Sequence, residues 1–238
     1  MSKIYEAYRK RAGHDPDLTV ELGRAGTLAL YPAPDATQQG EFNQLANRLL
    51  DLKSQERGAV IAFASTAAGE GASYVSFNAA VMLATVYHQR VCWIDANFLS
   101  PQKQLAHVEG LTLAALLQNP GRLSELRPTG NPTLVPGGFN LSAVRGLFAD
   151  QKCHDLVRGM AGRFDFTLID LPPVASTTDT ALAAAATDGL TLVIEQRFLK
   201  REIIGHNMEA LRAKSVRVLG AVINKRSYDL PKVIYDRL

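Results

Sequence analysis

Residues 58–74 decide the fold, and they read Gly-Ala-Val-Ile-Ala-Phe-Ala-Ser-Thr-Ala-Ala-Gly-Glu-Gly-Ala-Ser-Tyr. An apolar run of strand length leads into a loop with two glycines, and a helix-forming stretch follows. This order of elements is typical of a phosphate-binding loop, which ends Gly-Lys-Ser or Gly-Lys-Thr. Here the loop ends Gly71-Ala72-Ser73, so an alanine stands where the motif has its lysine.

Apolar strands and helices alternate along the rest of the chain. We predict strands at 59–64, 90–95, 133–135, 164–170, 190–195 and 216–223, and helices at 41–56, 73–88, 112–117, 141–162, 178–187 and 200–213. Continuous apolar strands that alternate with helices are typical of a parallel sheet covered on both faces. The predicted fold class is therefore α/β, a doubly wound, mostly parallel sheet with helices on both faces.

Three segments are predicted. Residues 1–40 lack a sustained apolar period, and we expect a short helix near 2–12 followed by an irregular arm over 25–40, where glycine and proline are frequent. Residues 41–226 form the domain that carries the phosphate-binding loop, and residues 227–238 form a C-terminal tail. We find no internal repeat.

Composition narrows the class of protein. With 47% hydrophobic and 21% charged residues, the chain is an ordinary globular domain. The N-terminus is too charged for a secretory signal, no apolar run approaches the ~20 residues of a membrane helix, and two cysteines are too few for a disulfide framework. We therefore expect a reduced, cytoplasmic protein. Residues 197–238 hold ten Lys/Arg against four Asp/Glu, which could face acidic lipid or a partner, or could be solvated surface.

Two strands after the loop end in carboxylates, at Asp95 and Asp170. Ligands of a doubly wound sheet bind beyond the carboxyl ends of its strands. A Mg²⁺–nucleotide site needs a hydroxyl and one or two carboxylates, with phosphate oxygens completing the shell. We predict Ser73, Asp95 and Asp170 as metal ligands if Mg²⁺ binds, and Gly69 to Tyr74 as the nucleotide-binding stretch (Gly69, Glu70, Gly71, Ala72, Ser73, Tyr74).

Four stretches make the resemblance specific: Ser65–Ser73, Val91–Asn97, Phe164–Pro173 and Val218–Asn224. With them the chain resembles the bacterial tyrosine kinases of polysaccharide export, a branch of the Min/Par-type P-loop ATPases, over about residues 41–226. The resemblance implies a P-loop NTPase fold, and it implies that Asn224 reads adenine, although a turn residue is an equal interpretation. It also implies a tyrosine-bearing tail that is phosphorylated, for which Tyr228 and Tyr235 are the candidates.

This chain differs from the family pattern at positions where the family carries functional residues. Ala72 replaces the lysine of a degenerate Walker A loop, and Asn97 and Leu99 replace the second acid and the arginine of the Asp-x-Asp-x-Arg motif. Gln44 and Asn47 stand where the family carries the two arginines of Glu-x-x-Arg-x-x-Arg, which is used for ring assembly. No catalytic residue is therefore assigned, and Asp95 and Asp170 are remnant candidates.

The missing lysine, acid and arginine predict weaker nucleotide binding and a larger loss of catalysis. Backbone N–H groups and the helix N-terminus still favour phosphate. A missing charge-assisted contact costs about 1.5–3 kcal/mol, and the lysine also offsets charge in the phosphoryl transition state. We expect ATP or ADP with Mg²⁺ to bind weakly, or no cofactor at all.

Three functions follow as hypotheses. The first is a pseudokinase-like subunit of exopolysaccharide or capsule export, peripheral at the inner membrane and docked to a membrane copolymerase or another export subunit. The second is an active tyrosine autokinase or ATPase whose missing charge comes from Lys103, Lys200, Arg201 or a neighbouring subunit. The third is a Min/Par-type localisation factor for pili or flagella. A homo-oligomer stays open, and no nucleic acid is expected.

Overall fold

The computed structural model describes residues 17–21, 27–32, 34–54, 56–102, 105, 111–138, 151–196 and 201–225. The predicted helix near 2–12 and the tail 227–238, with Tyr228 and Tyr235, lie outside these residues.

The strands and helices of the described residues follow in chain order. They are β1 (Asp17–Glu21), β2 (Thr27–Pro32), α1 (Ala36–Leu50), β3 (Ala59–Ser65), α2 (Ala72–Thr85), β4 (Val91–Asp95), α3 (Leu113–Gln118), β5 (Thr133–Val135), α4 (Gln151–Arg163), β6 (Phe166–Asp170), α5 (Asp179–Ala185), β7 (Gly189–Glu195), α6 (Arg201–Ala213) and β8 (Val218–Asn224). Short 3₁₀ helices lie at Pro120–Glu125 and Val174–Ser176.

Six of these strands form one parallel sheet in the order β5-β4-β6-β3-β7-β8. The carboxyl ends of β3, β4 and β6 therefore meet at one edge, where Asp95 pairs in register with Asp170. This arrangement confirms the predicted doubly wound fold and brings the phosphate loop and the two carboxylates to the same edge.

Helices cover both faces of the sheet, and β3 shows how the sequence produces this. Its residues alternate between two apolar clusters, since successive side chains of a strand point to opposite faces. Ile61 and Phe63 pack with α1 and α2. Val60 and Ala62 pack with α3, α4, α5 and α6. Every residue of β3 is buried, which is why the run is apolar throughout.

The segment before the domain differs from the prediction. The sequence predicts an irregular arm over residues 25–40, whereas in the structure β2 pairs antiparallel with β1 in a separate two-stranded sheet. Helix α1 begins at Ala36 instead of 41, because Asp35 forms a capping box: its carboxylate accepts from Thr37 N (2.8 Å) and Gln38 N (2.9 Å), and Gln38 Oε1 accepts from Asp35 N (3.0 Å).

Candidate functional site

The phosphate loop runs from the end of β3 to the start of α2. Gly69 and Gly71 both have a φ of 89°, in the left-handed region that favours glycine. Gly71 is the N-cap residue of α2, and it has no side chain that could accept a hydrogen bond from the first N–H groups of the helix. The glycines therefore give the turn a shape that presents backbone donors to an anion.

Glu70 is fully buried beneath this loop. Its Oε2 accepts hydrogen bonds from Thr66 N (2.7 Å), Thr66 Oγ1 (2.7 Å) and Ala67 N (2.8 Å), and its Oε1 accepts one from Glu195 N (3.2 Å). The carboxylate thus points into the loop. The side chain of Glu70 can therefore serve a phosphate site by fixing the shape of the loop. A contact between Glu70 and nucleotide would have to come from its backbone, and it stays a prediction.

The ends of β7 and β8 hold the loop from outside. Asn224 Nδ2 donates to Glu70 O (2.8 Å), and Lys225 Nζ donates to both Gly69 O (2.7 Å) and Glu195 Oε2 (2.8 Å). We call these three contacts the loop latch. Lys225 is not among the predicted site residues, although its place just past the carboxyl end of a parallel strand is a signal that could have found it.

The two strand-end carboxylates lie in different environments. Asp95 accepts from Gln102 N (2.8 Å) and Asn97 N (3.2 Å). Burial raises the pKa of Asp95 to about 6 despite these two bonds, which lower it. Asp170 is fully buried, and neither of its oxygens has a hydrogen-bond partner among the described residues. Burial and the Asp95 charge raise the pKa of Asp170 well above its usual value, while the nearby Ser73 hydroxyl lowers it.

An unpartnered buried carboxylate is costly, and a cation or a proton relieves that cost. Ser73, Asp95 and Asp170 therefore fit a Mg²⁺ ion, which binds through few protein groups and keeps phosphate and water oxygens. Within the described ranges no group of three His, Cys, Asp or Glu residues could hold a metal. Phosphate oxygens would have to complete the shell.

A cavity of about 310 Å³ lies over the loop. Gly69, Gly71, Ala72 and Ser73 line one side of it. The other side is formed by Asn97, Leu99, Ser100, Gln102, Pro173 and Ser176, with Ser65 and Ala68 beneath. None of the described residues that line this cavity is a lysine, arginine or histidine. The cavity can thus offer an anion backbone dipoles and a hydroxyl, and no side-chain cation from this set.

A second cavity, of about 450 Å³, lies on the other side of Gly71. It is bounded by α1, by Tyr74 and Val75 of α2, and by Asn224 and Lys225. The predicted residues Tyr74 and Asn224 thus meet in one cavity. Lys103 and Lys200, proposed sources of a substitute charge, lie outside the described residues.

Curated relatives are similar to most of the chain. It is 27% identical over 179 residues to the tyrosine-protein kinase CpsD of Streptococcus agalactiae, covering 72% of this chain and 77% of CpsD. It is 23% identical over 209 residues to the putative tyrosine-protein kinase CapB of Staphylococcus aureus, covering 85% and 90%. The homologues of this chain are bacterial tyrosine-protein kinases. The succinoglycan biosynthesis transport protein ExoP of Rhizobium meliloti is 24% identical over 226 residues, which is 91% of this chain and 28% of ExoP.

Solved structures share the fold of the chain. The chimerical protein CapA2B2 superposes with a TM-score of 0.70 at 19% identity, over 82% of this chain and 88% of its own. Cobyrinic acid a,c-diamide synthase of Mycobacterium smegmatis, solved with an ATP analogue and magnesium, superposes with a TM-score of 0.56 at 18% identity, over 75% and 81%. The fold is therefore that of the P-loop NTPases. No protein-family model matches the chain.

The departures from the kinase motifs converge in space. Ala72 lies on α2, and Asn97 and Leu99 lie beyond β4, yet all three line the cavity over the loop. Leu99 is 45% exposed there, an apolar side chain where the motif has an arginine. Three residues that are separate in sequence thus line one cavity.

Proposed function

We propose that this protein is a non-catalytic or weakly nucleotide-binding relative of the tyrosine kinases that regulate exopolysaccharide and capsule synthesis, and that it acts by docking to a membrane copolymerase. One observation carries the proposal: Ala72, Asn97 and Leu99 line the same cavity, where no described residue supplies a cation. Phosphoryl transfer depends on positive charge around the transferred group. A retained fold with this charge removed suits binding better than turnover.

Some nucleotide affinity remains in this proposal. Mg²⁺, held by Ser73, Asp95 and Asp170, would neutralise phosphate charge when bound. The loop would bind the phosphates through its backbone, and Tyr74 and Asn224 would line the base side. ATP or ADP therefore binds weakly, because backbone donors remain and the lysine contact, worth about 1.5–3 kcal/mol, is lost.

The setting in polysaccharide export rests on the relatives. ExoP is a succinoglycan biosynthesis transport protein, and CpsD and CapB are named as tyrosine kinases. We propose a cytoplasmic position, peripheral at the inner membrane, with a copolymerase or another export subunit as partner. In the described part of the chain no helix is long and apolar enough to cross a bilayer.

Assembly of a kinase-like ring is not part of this proposal. Glu41, Gln44 and Asn47 are exposed on α1 at the positions of the family's Glu-x-x-Arg-x-x-Arg motif. The exposed face thus retains the acid and lacks both arginines. A homo-oligomer that uses another surface stays open.

The predicted metal ligands support the alternative, an active autokinase or ATPase. Ser73, Asp95 and Asp170 could hold Mg²⁺, and a cation from outside the described residues could replace the lysine. The test is ATP turnover and phosphate incorporation at Tyr228 and Tyr235 by the purified protein with its full tail. We expect neither above the level of an Asp170→Asn control. Robust turnover that this control abolishes would overturn the proposal and establish the alternative.

A further inference from the structure

Several carboxylates lie close to the phosphate loop. Glu70 is buried beneath the loop. Glu195, at the end of β7, donates its backbone N–H to Glu70 Oε1 (3.2 Å), so it adjoins the loop as well. Asp95 and Asp170 end neighbouring strands at the same edge of the sheet. A phosphate bound at the loop would be repelled by these charges, and the backbone donors would have to overcome that repulsion.

Lys225 places an ammonium group on the backbone of the loop. Its Nζ donates to Gly69 O (2.7 Å) and to Glu195 Oε2 (2.8 Å). Gly69 lines the cavity over the loop, whereas Lys225 lines the second cavity, on the other side of Gly71. The ammonium therefore lies against the loop between the two cavities. A phosphate in the first cavity would be within the ~10 Å over which charges act in ~0.1 M salt.

The end of β8 holds this ammonium in place. Asn224 Nδ2 donates to Glu70 O (2.8 Å), and a Cβ at Gly71 would collide with the same Nδ2, so β8 ends in direct contact with the loop. Lys225 follows with a φ of 50°, in the left-handed region that residues other than glycine rarely adopt. Backbone outliers of this kind are found at functional sites, where the surrounding contacts maintain them.

We propose that Lys225 supplies the positive charge of the phosphate loop from the end of β8, whereas the kinase motif supplies it from position 72. The ammonium acts from the far side of the Gly69 backbone: it offsets the carboxylates around the loop and so raises the affinity of the backbone donors for phosphate. This inference rests on the proposed nucleotide site. It names the residue that sustains weak binding although residue 72 is an alanine.

A charge role of Lys225 and a purely structural role predict opposite signs for one substitution. Glu195→Gln keeps the size of the side chain, removes a carboxylate and releases the ammonium from its ion pair. If Lys225 acts through its charge, this change tightens Mg·ADP binding, because the surroundings of the loop become more positive. If the ion pair only holds the loop in shape, the same change loosens the loop and weakens binding.

The experiment is titration calorimetry with Mg·ADP at low ionic strength, on the full chain and its variants. We expect Lys225→Met to weaken binding about fivefold and Glu195→Gln to tighten it about threefold, within the range measured for partly exposed charges. Lys225→Arg keeps the charge and should stay near the wild-type affinity. The matched control is Lys214→Met, which removes the same charge at an exposed position just after α6 and leaves binding unchanged.

Salt dependence and folding controls complete the test. The screening length falls to about 3 Å at ~1 M salt, so the wild type and Lys225→Met should approach equal affinity there. Thermal melts verify that each variant is folded. Equal affinities of Lys225→Met and wild type at low salt, no binding by the wild type, or weaker binding by Glu195→Gln would overturn the inference. Robust ATP turnover by the wild type would instead refute the proposed function and leave the charge role of Lys225 intact.

Discussion

Ala72 lines the cavity over the phosphate loop from the first turn of α2, and only 6% of its surface is exposed. A lysine at this position would extend into a space that holds no other described side-chain cation. We predict that Ala72→Lys tightens Mg·ATP binding by about 10- to 150-fold, the equivalent of a charge-assisted contact of about 1.5–3 kcal/mol. Titration calorimetry measures the change.

The matched control for this substitution is Ala213→Lys, which adds the same charge at an exposed position on α6. It should leave the affinity unchanged. Tight wild-type binding that Ala72→Lys does not improve would show that another cation already serves the phosphates, in line with the active-enzyme alternative.

Glu70 is the residue on which the shape of the loop depends most directly. Glu70→Ala leaves three backbone N–H groups, those of Thr66, Ala67 and Glu195, and the Thr66 hydroxyl without their acceptor. Each such group costs about 1–3 kcal/mol, so we predict that the free energy of unfolding falls by at least about 3 kcal/mol in urea denaturation. Glu209→Ala, an exposed change on α6, should cost little. A small effect of Glu70→Ala would show that the latch alone holds the loop.

Individual residues of the site were predictable to different degrees. That Asp95 and Asp170 lie together at one edge of the sheet could be predicted, since the carboxyl ends of parallel strands meet there. Lys225 was missed because its role arises from tertiary contacts. Nothing in the periodicity of Thr27–Pro32 indicates that its tyrosine packs against Tyr74 and Phe77 of α2.

At the scale of elements, the register of β4 and β6 sets two acids side by side, and this pairing predicts a pH dependence. In the unfolded chain the carboxyl groups of both aspartates have a pKa of about 3.9. The folded protein retains their protons to higher pH, to about 6 for Asp95. The free energy of unfolding therefore falls as pH rises through this window. We predict that Asp170→Asn raises the melting temperature at pH 8 and leaves it near the wild-type value at pH 4.

The connection between α4 and β6 supplies a control of opposite sign. Burial alone raises the pKa of Asp165, but its bonds to Arg90 (3.1 Å) and Lys53 (2.9 Å) hold that pKa well below its usual value. Its stabilising contribution is present above about pH 4 and is lost as pH falls. Asp165→Asn should therefore lower the melting temperature at pH 8. A stabilising Asp165→Asn, or a destabilising Asp170→Asn, would contradict these assignments.

The latch joins three elements, and its contribution is testable through the loop that it holds. Lys225→Met removes the bonds to Gly69 O and Glu195. Because the lysine is half-exposed, we expect a modest effect, an increase of about threefold in hydrogen exchange over residues 66–71. The exposed Lys214→Met should leave exchange there unchanged. Unchanged exchange in Lys225→Met would show that Glu70 and Asn224 suffice.

For the whole molecule, the convergence of three replacements on one cavity predicts a collective effect. We expect the single changes Ala72→Lys, Asn97→Asp and Leu99→Arg each to leave ATP turnover near background, since groups that act as a unit are strongly non-additive. The triple variant should gain measurable phosphate release. Adding Asp170→Asn to it should abolish that gain. Full turnover in Ala72→Lys alone would show that the other two replacements do not matter for catalysis.

Most of the fold was predictable because the spacing of apolar residues differs between buried strands and helices. Strand 133–135 matches its prediction, and the other sheet strands differ by one or two residues at their ends. Helix α1 was placed late because its start depends on a side-chain cap and not on apolar spacing. The hairpin of β1 and β2 was missed because short strands among glycine and proline lack a clear alternation.

The buried carboxylate of Glu70 has a consequence for residue 72. Because this carboxylate and the latch fix the turn, the backbone of the loop does not require a lysine at residue 72 for its shape. Alanine and lysine at this position are therefore both compatible with the same loop backbone, and an exchange between them changes the charge of the cavity without requiring a new fold.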